Sequence, residues 1–182
     1  MKGLNKPNVF IRFILISTFL YAFLYLVYQF IVKKYTYYDQ NFIGLIINSA
    51  DFLLNLFGFK TYKVLQDRDM QVIGIDGANG VWIGSPCNAI TLFALFTVFI
   101  VAYPGNQKHK FWYIPIGILI IHLLNIFRVL ALAMISFYRP DLLEFNHTYT
   151  FTFIIYGVIF LLWLIWVNKF SEKINSNSPN FR

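Results

Sequence analysis

Apolar residues run through this chain in long unbroken stretches, not in the strict alternation of a half-buried strand or the narrow stripe of a surface helix. Four such stretches fall at about residues 11–32, 88–103, 111–137 and 148–167. A helix needs about 20 apolar residues to cross a hydrocarbon core ~30 Å thick, and the first, third and fourth reach that length. The second, about 16 residues long, is expected to cross with little tilt or to begin before Cys87. No small-residue cleavage site follows the first stretch, which therefore reads as a retained anchor and not as a removed signal.

Two segments break this pattern. Residues 42–57 are apolar, but Asn48, Asp51 and Asn55 repeat at i, i+3 and i+7, which puts three polar groups on one helical face. A carboxylate at mid-bilayer is costly, so an amphipathic helix lying at the interface is the expectation, ahead of a fifth span. Residues 60–84 hold the only β-like text: runs at 61–65, 71–75 and 81–83, separated by Asp67-Arg68-Asp69 and by Asp76-Gly77-Ala78-Asn79-Gly80. Short β-prone runs divided by such turn signals predict a small meander, one that must lean on the helices for stability. The predicted fold is an all-α polytopic membrane protein with about four spans, an interfacial helix and a β-meander on the outer face, ending in a polar tail at 171–182.

Composition agrees with that class. The chain is 58% hydrophobic and 20% aromatic and carries charge on only 13% of its 182 residues, which excludes an ordinary soluble domain. A single membrane domain accounts for residues 1–182. The net charge of +7 does not point to nucleic acid, because the basic residues are scattered and several flank apolar runs. With four spans, eight basic residues and one acidic residue fall on one side, and six basic and seven acidic on the other. That asymmetry predicts both termini in the cytoplasm and the meander outside, in contact with membrane lipid throughout.

Candidate chemistry begins at Cys87, which as the sole cysteine rules out an internal disulfide. Ser85 reads as an N-cap and Pro86 as the first helical residue, leaving Cys87 in a first turn, where free amides and the helix dipole favour a thiolate. Arg128 lies about 25 Å along the third predicted span, in the outer part of the membrane. His147 follows Asn146, a second N-cap signal, at the outer start of the fourth, where the helix end favours a neutral imidazole. Three residues from three segments thus converge on one layer. Together they suit acyl transfer: a thiolate to attack a carbonyl, a fixed cation for the oxyanion, and a histidine to move the proton. Each also has a plain structural reading, as a small apolar filler, a snorkelling cation and an interfacial side chain. An arginine within a span is the hardest of the three to explain that way.

His122, Asn125 and Arg128 are spaced by three and form a polar strip, on which Asn125 is placed to hold the guanidinium. His122 reads as a bond to a neighbouring helix, and His109 as a solvated loop residue. One cysteine and three scattered histidines give no zinc-ligand spacing, so neither metal nor cofactor is expected.

The text Cys87-Asn88-Ala89-Ile90 at the head of one span, Asn125-x-x-Arg128 in the next and His147 opening the last resemble the exosortase/archaeosortase family of membrane cysteine transpeptidases. The resemblance covers residues 84–167 and implies a catalytic set of Cys87, Arg128 and His147, beside which Asn88, Asn125 and Asn146 are the candidate supporting residues. Two departures stand out: the family commonly has glycine two residues after the cysteine, where this chain has Ala89, and many members have more spans. The resemblance further implies a bacterial inner-membrane enzyme whose substrates are exported proteins ending in a short motif, a transmembrane helix and a basic cluster. Cleavage at the outer face would pass through a thioester. The competing expectation is a non-catalytic membrane partner or small transporter subunit that uses Arg128 to bind an anionic group.

Overall fold

Residues 6–27 are rich in Leu, Ile and Phe and contain no glycine, and they form a helix, α1 (Lys6–Val27), extended by a π-helical turn at Tyr28–Val32. The computed structural model describes residues 6–32, 36–67, 70–84, 87 and 89–170. The predicted tail at 171–182 lies outside them, as do Ser85, Pro86 and Asn88. Next come α2 (Thr36–Leu56), three strands β1 (Thr61–Asp67), β2 (Met70–Ile75) and β3 (Val81–Gly84), then α3 (Ile90–Ala102) and α4 (Gln107–Tyr138). The last helical stretch runs from Pro140 to Phe170: a 3-10 turn, one short α-helical turn α5 (Leu143–Phe145), a π-helical turn at Asn146–Thr150, α6 (Phe151–Ile165) and a closing π-helical turn.

Ile11–Phe30, Gln107–Tyr138 and Pro140–Phe170 are long and apolar enough to cross a membrane, as a membrane protein requires. The second predicted span differs. Its helix has 13 residues, about 20 Å of rise, which falls short of a hydrocarbon core. The expected count of four therefore becomes three long helices and one short one. Its start is set locally: Ala89 takes a left-handed φ of 61°, and the helix begins only after it.

The meander forms as expected. β1 and β2 pair antiparallel with Thr61 opposite Ile75, and β2 and β3 with Ile73 opposite Val81. Alternation puts Ile73, Ile75, Val81 and Ile83 on one face, which packs on α2 and α4 as a three-stranded sheet must. Ser136 on α4 donates to the carbonyl of Asn79 and so ties the β2–β3 turn to the bundle.

α2 begins earlier than the predicted 42–57, and its polar face carries β1. The Lys63 ammonium lies 2.7 Å from the Asp51 carboxylate and donates to Asn48 Oδ1 at 3.0 Å. Thr61 donates its hydroxyl to Asp51, and Asn55 Nδ2 donates to both Asp51 Oδ1 and Thr61 Oγ1. Burial pushes the Asp51 carboxyl up, but the Lys63, Thr61 and Asn55 bonds outweigh it and hold the group below its ordinary value. A depressed folded-state value means the network stabilises at neutral pH and is lost as pH falls through that value. Thermal stability should therefore be flat above about pH 5 and decline below the ordinary aspartate value near 3.9, with a shallower acid limb in Asp51→Asn. An unchanged acid limb in Asp51→Asn would mean that another carboxylate governs it.

Two buried clusters fill the helical part. One joins α2, the sheet and α4 and contains Cys87. The other joins α3, α4 and α6 around Phe96, Tyr113 and Trp166. Gly117 makes the second possible, because a Cβ there would collide with the Phe96 ring. Lys110, only 6% exposed, donates from Nζ to the carbonyls of Val101 and Tyr103 at 2.8 Å each. It thereby satisfies carbonyls that the C-terminal end of α3 leaves unpaired.

Candidate active site

Cys87 lies between the sheet and α3, three residues before the first residue of that helix and 6% exposed. The expected place in a helical first turn is thus corrected, and with it the argument from helix amides. The thiol meets a side chain instead: its Sγ is 3.5 Å from Nε2 of His147, within reach of a hydrogen bond to sulfur.

The position of His147 is corrected as well. The helix does not open at Asn146. It opens at Pro140, and Asn146 has helical dihedrals and donates from Nδ2 to the Leu142 carbonyl at 2.8 Å. His147 sits in the π-helical turn Asn146–Thr150. One extra residue in such a turn shifts the side chains that follow around the helix axis, and turns of this kind recur at functional sites. The charge of Arg128, on the neighbouring α4, acts on the His147 ring. Arg128 is half-buried, and its Nε has no hydrogen-bond partner among the described residues.

Asn125 does something other than the expected support of Arg128. It is 0% exposed, and its Nδ2 donates to the Cys87 backbone carbonyl at 2.8 Å. A buried backbone carbonyl needs such a donor in an apolar surround. The bond fixes the thiol-bearing residue against α4, while Asn125 Oδ1 stays unpaired among the described residues. Asn88 lies outside the described residues.

The other two histidines stand apart from this centre. His122 packs its ring 5.5 Å from Phe42 and 6.4 Å from Phe93, centroid to centroid, with its Nδ1 unpaired among the described residues. The expected bond of His122 to a neighbouring helix is not made by this nitrogen among the described residues. His109, expected in solvent, is half-buried, with its ring 5.4 Å from that of Phe170. Among the described residues no three His, Cys, Asp or Glu side chains gather as a metal site would require.

One positioning residue escaped the sequence reading. Ser136 lies eleven residues beyond Asn125, three helical turns along the same face of α4, and is 3% exposed. Its place on the buried stripe was the available signal. What remains at the centre is a thiol, an imidazole in contact with it and an amide that clamps the cysteine backbone, with the charge of Arg128 felt at the imidazole. Compared with protein-family models, curated proteins and solved structures, the chain matches none.

Proposed function

We propose that this protein is a membrane-embedded cysteine peptidase or transpeptidase, with Cys87 as nucleophile, His147 as general acid–base and Arg128 as oxyanion stabiliser. The observation that carries the reading is the 3.5 Å approach of Cys87 Sγ to His147 Nε2, an imidazole that the Arg128 charge also reaches. In the first half-reaction the thiol proton passes to Nε2, and the sulfur forms a bond to a peptide carbonyl carbon. The tetrahedral oxyanion is held by the guanidinium. The C–N bond then breaks, the imidazolium gives its proton to the leaving amine, and a thioester remains on Cys87. In the second half, an incoming amine or water loses a proton to His147 and attacks the thioester, which frees the thiol.

The resemblance of Cys87–Ile90, Asn125–Arg128 and His147 to the exosortase/archaeosortase pattern supports the same assignment and adds a substrate class. These are exported proteins carrying a C-terminal motif, a transmembrane helix and a basic cluster, cleaved at the outer face of a bacterial inner membrane. With α3 counted as a crossing, the charge asymmetry of the flanking residues supports that orientation. The alternative, an anion-binding membrane partner, uses Arg128 alone and gives the thiol–imidazole contact no role.

Because Cys87 is the only cysteine, a membrane-impermeant thiol reagent reads the site directly. In intact cells near neutral pH we expect labelling of Cys87 at a rate well above that of a simple alkyl thiol, reduced at least several-fold in His147→Ala and in Arg128→Ala. Labelling that is slow and unaffected by both substitutions would make the cysteine structural and remove the assignment. Labelling only after the cells are opened would reverse the orientation.

A further inference from the structure

Helix α1 meets the rest of the bundle mainly along α3, and three cavities follow one another down that seam. The first, about 320 Å³, lies at the end of α1 nearest the α3–α4 loop and is lined by Arg12, Phe13, Gly105, Gln107 and Lys110 among others. The second, about 380 Å³, begins at Phe13, which lines both, and continues past Ser17, Ala22 and Phe99 to Tyr21. Tyr21 in turn lines the third, about 190 Å³, which ends at Tyr28, Ile90 and Thr91.

The chemistry changes along the seam. The second and third cavities are walled almost wholly by carbon, whereas the first is more polar and carries the cationic Arg12 and Lys110. Arg12 is exposed, stands one residue inside the apolar stretch Ile11–Phe30, and makes no hydrogen bond or ion pair among the described residues. Gln107 sits beside it, at the start of α4. Lys110 is engaged with the Val101 and Tyr103 carbonyls but leaves its positive charge at the cavity wall. Among the described residues no carboxylate lines this cavity. From Arg12 to Tyr28 the seam follows 16 residues of helix, about 24 Å, long enough for a phospholipid acyl chain together with the glycerol unit that joins it to the phosphate.

We infer that the α1–α3 seam is a binding site for one anionic phospholipid, its phosphate at Arg12 and Gln107 and an acyl chain running between α1 and α3 toward Ile90. Charge complementarity selects the headgroup: Arg12, with no carboxylate among the described residues that line the cavity, receives a phosphate but offers nothing to a choline. The carbon-walled remainder selects a lipid over a soluble phosphate. The inference concerns a face separate from Cys87 and does not rest on the proposed chemistry there.

Native mass spectrometry of the full chain in detergent tests it, titrating phosphatidylglycerol against phosphatidylcholine with identical chains. Wild type should retain phosphatidylglycerol about fivefold more strongly, the discrimination one interfacial cation supplies. In Arg12→Gln that preference should fall to near one, with both lipids still bound. Ala22→Trp, at an exposed position on the seam wall, should weaken both lipids together and keep the ratio. Glycerol phosphate in excess should displace neither. Equal retention by wild type, or a preference that survives Arg12→Gln, overturns the headgroup assignment. Displacement by glycerol phosphate, or indifference to Ala22→Trp, overturns the lipid as occupant.

Discussion

In cells that produce the Cys87→Ser or His147→Ala protein, exported chains with the expected C-terminal signal should keep it intact, with turnover reduced by about 10⁴-fold or more, as when a nucleophile or its base is removed from other hydrolases. Serine is close to cysteine in volume, so the packing around position 87 and the thermal midpoint should change little. That separates loss of chemistry from loss of fold. The double variant should be no worse than either single one, because a nucleophile without its base and a base without its nucleophile fail at the same step. C-terminal peptide mass spectrometry of envelope proteins from wild-type and variant cells reads the outcome even while the substrate is unidentified. A hydroxylamine-sensitive adduct on Cys87 should be present in wild type and absent from Cys87→Ser. Full processing in both single variants would end the catalytic assignment.

Arg128→Lys should lower turnover by about 10²- to 10³-fold while leaving most substrate binding in place. The guanidinium is a planar fork with several fixed donors, and its Nε faces no partner among the described residues. An ammonium in its place keeps the charge but is shorter and offers no donor at the Nε position. A role in diffuse attraction of an anionic group would survive the exchange, because one positive charge serves about as well as another. A role in gripping an oxygen that becomes charged only during reaction would not. The readout is therefore the ratio of kcat to KM effects on a purified reporter substrate: a fall confined to kcat supports the oxyanion role, and near-normal kcat rejects it.

Both predictions rest on a site whose members were legible in the chain but whose local geometry was not. Hydropathy and helix rise suffice to bring Cys87, Arg128 and His147 to a common depth, since each element's length fixes how far along it a residue stands. The strands were legible for a similar reason, as short period-2 runs between polar turn signals, one of them glycine-bearing. The two helix starts were not. Ser85-Pro86 and Asn146 both carry strong start signals, yet α3 begins after a left-handed alanine and His147 lies in a π-helical turn within a longer helix. A positive φ at a non-glycine residue and a single inserted helical residue depend on packing elsewhere, and neither leaves a mark in local spacing. Ala89 does carry an indirect trace, because glycine, common there in the exosortase-like pattern, is the residue that adopts such a φ without strain. The partner of Asn125 was hidden for another reason: spacing by three suggests Arg128, but a carbonyl 38 residues away competes for the same donor.

The short helix α3 is pinned to α4 at both ends. Lys110 grips the carbonyls at its C-terminal end, and Asn125 grips the Cys87 carbonyl ahead of its N-terminal end. Those two anchors stand 15 residues apart on α4, about 22 Å, close to the span of the segment they hold. Helix α4 thus acts as a ruler, and the depth of the thiol is a length counted in residues of a different helix. One residue added to α4 between the anchors would move them about 1.5 Å further apart and turn one by about 100° relative to the other. The short helix could then satisfy one anchor but not both, and the thiol would lose its register with His147 although no side chain at the centre had changed.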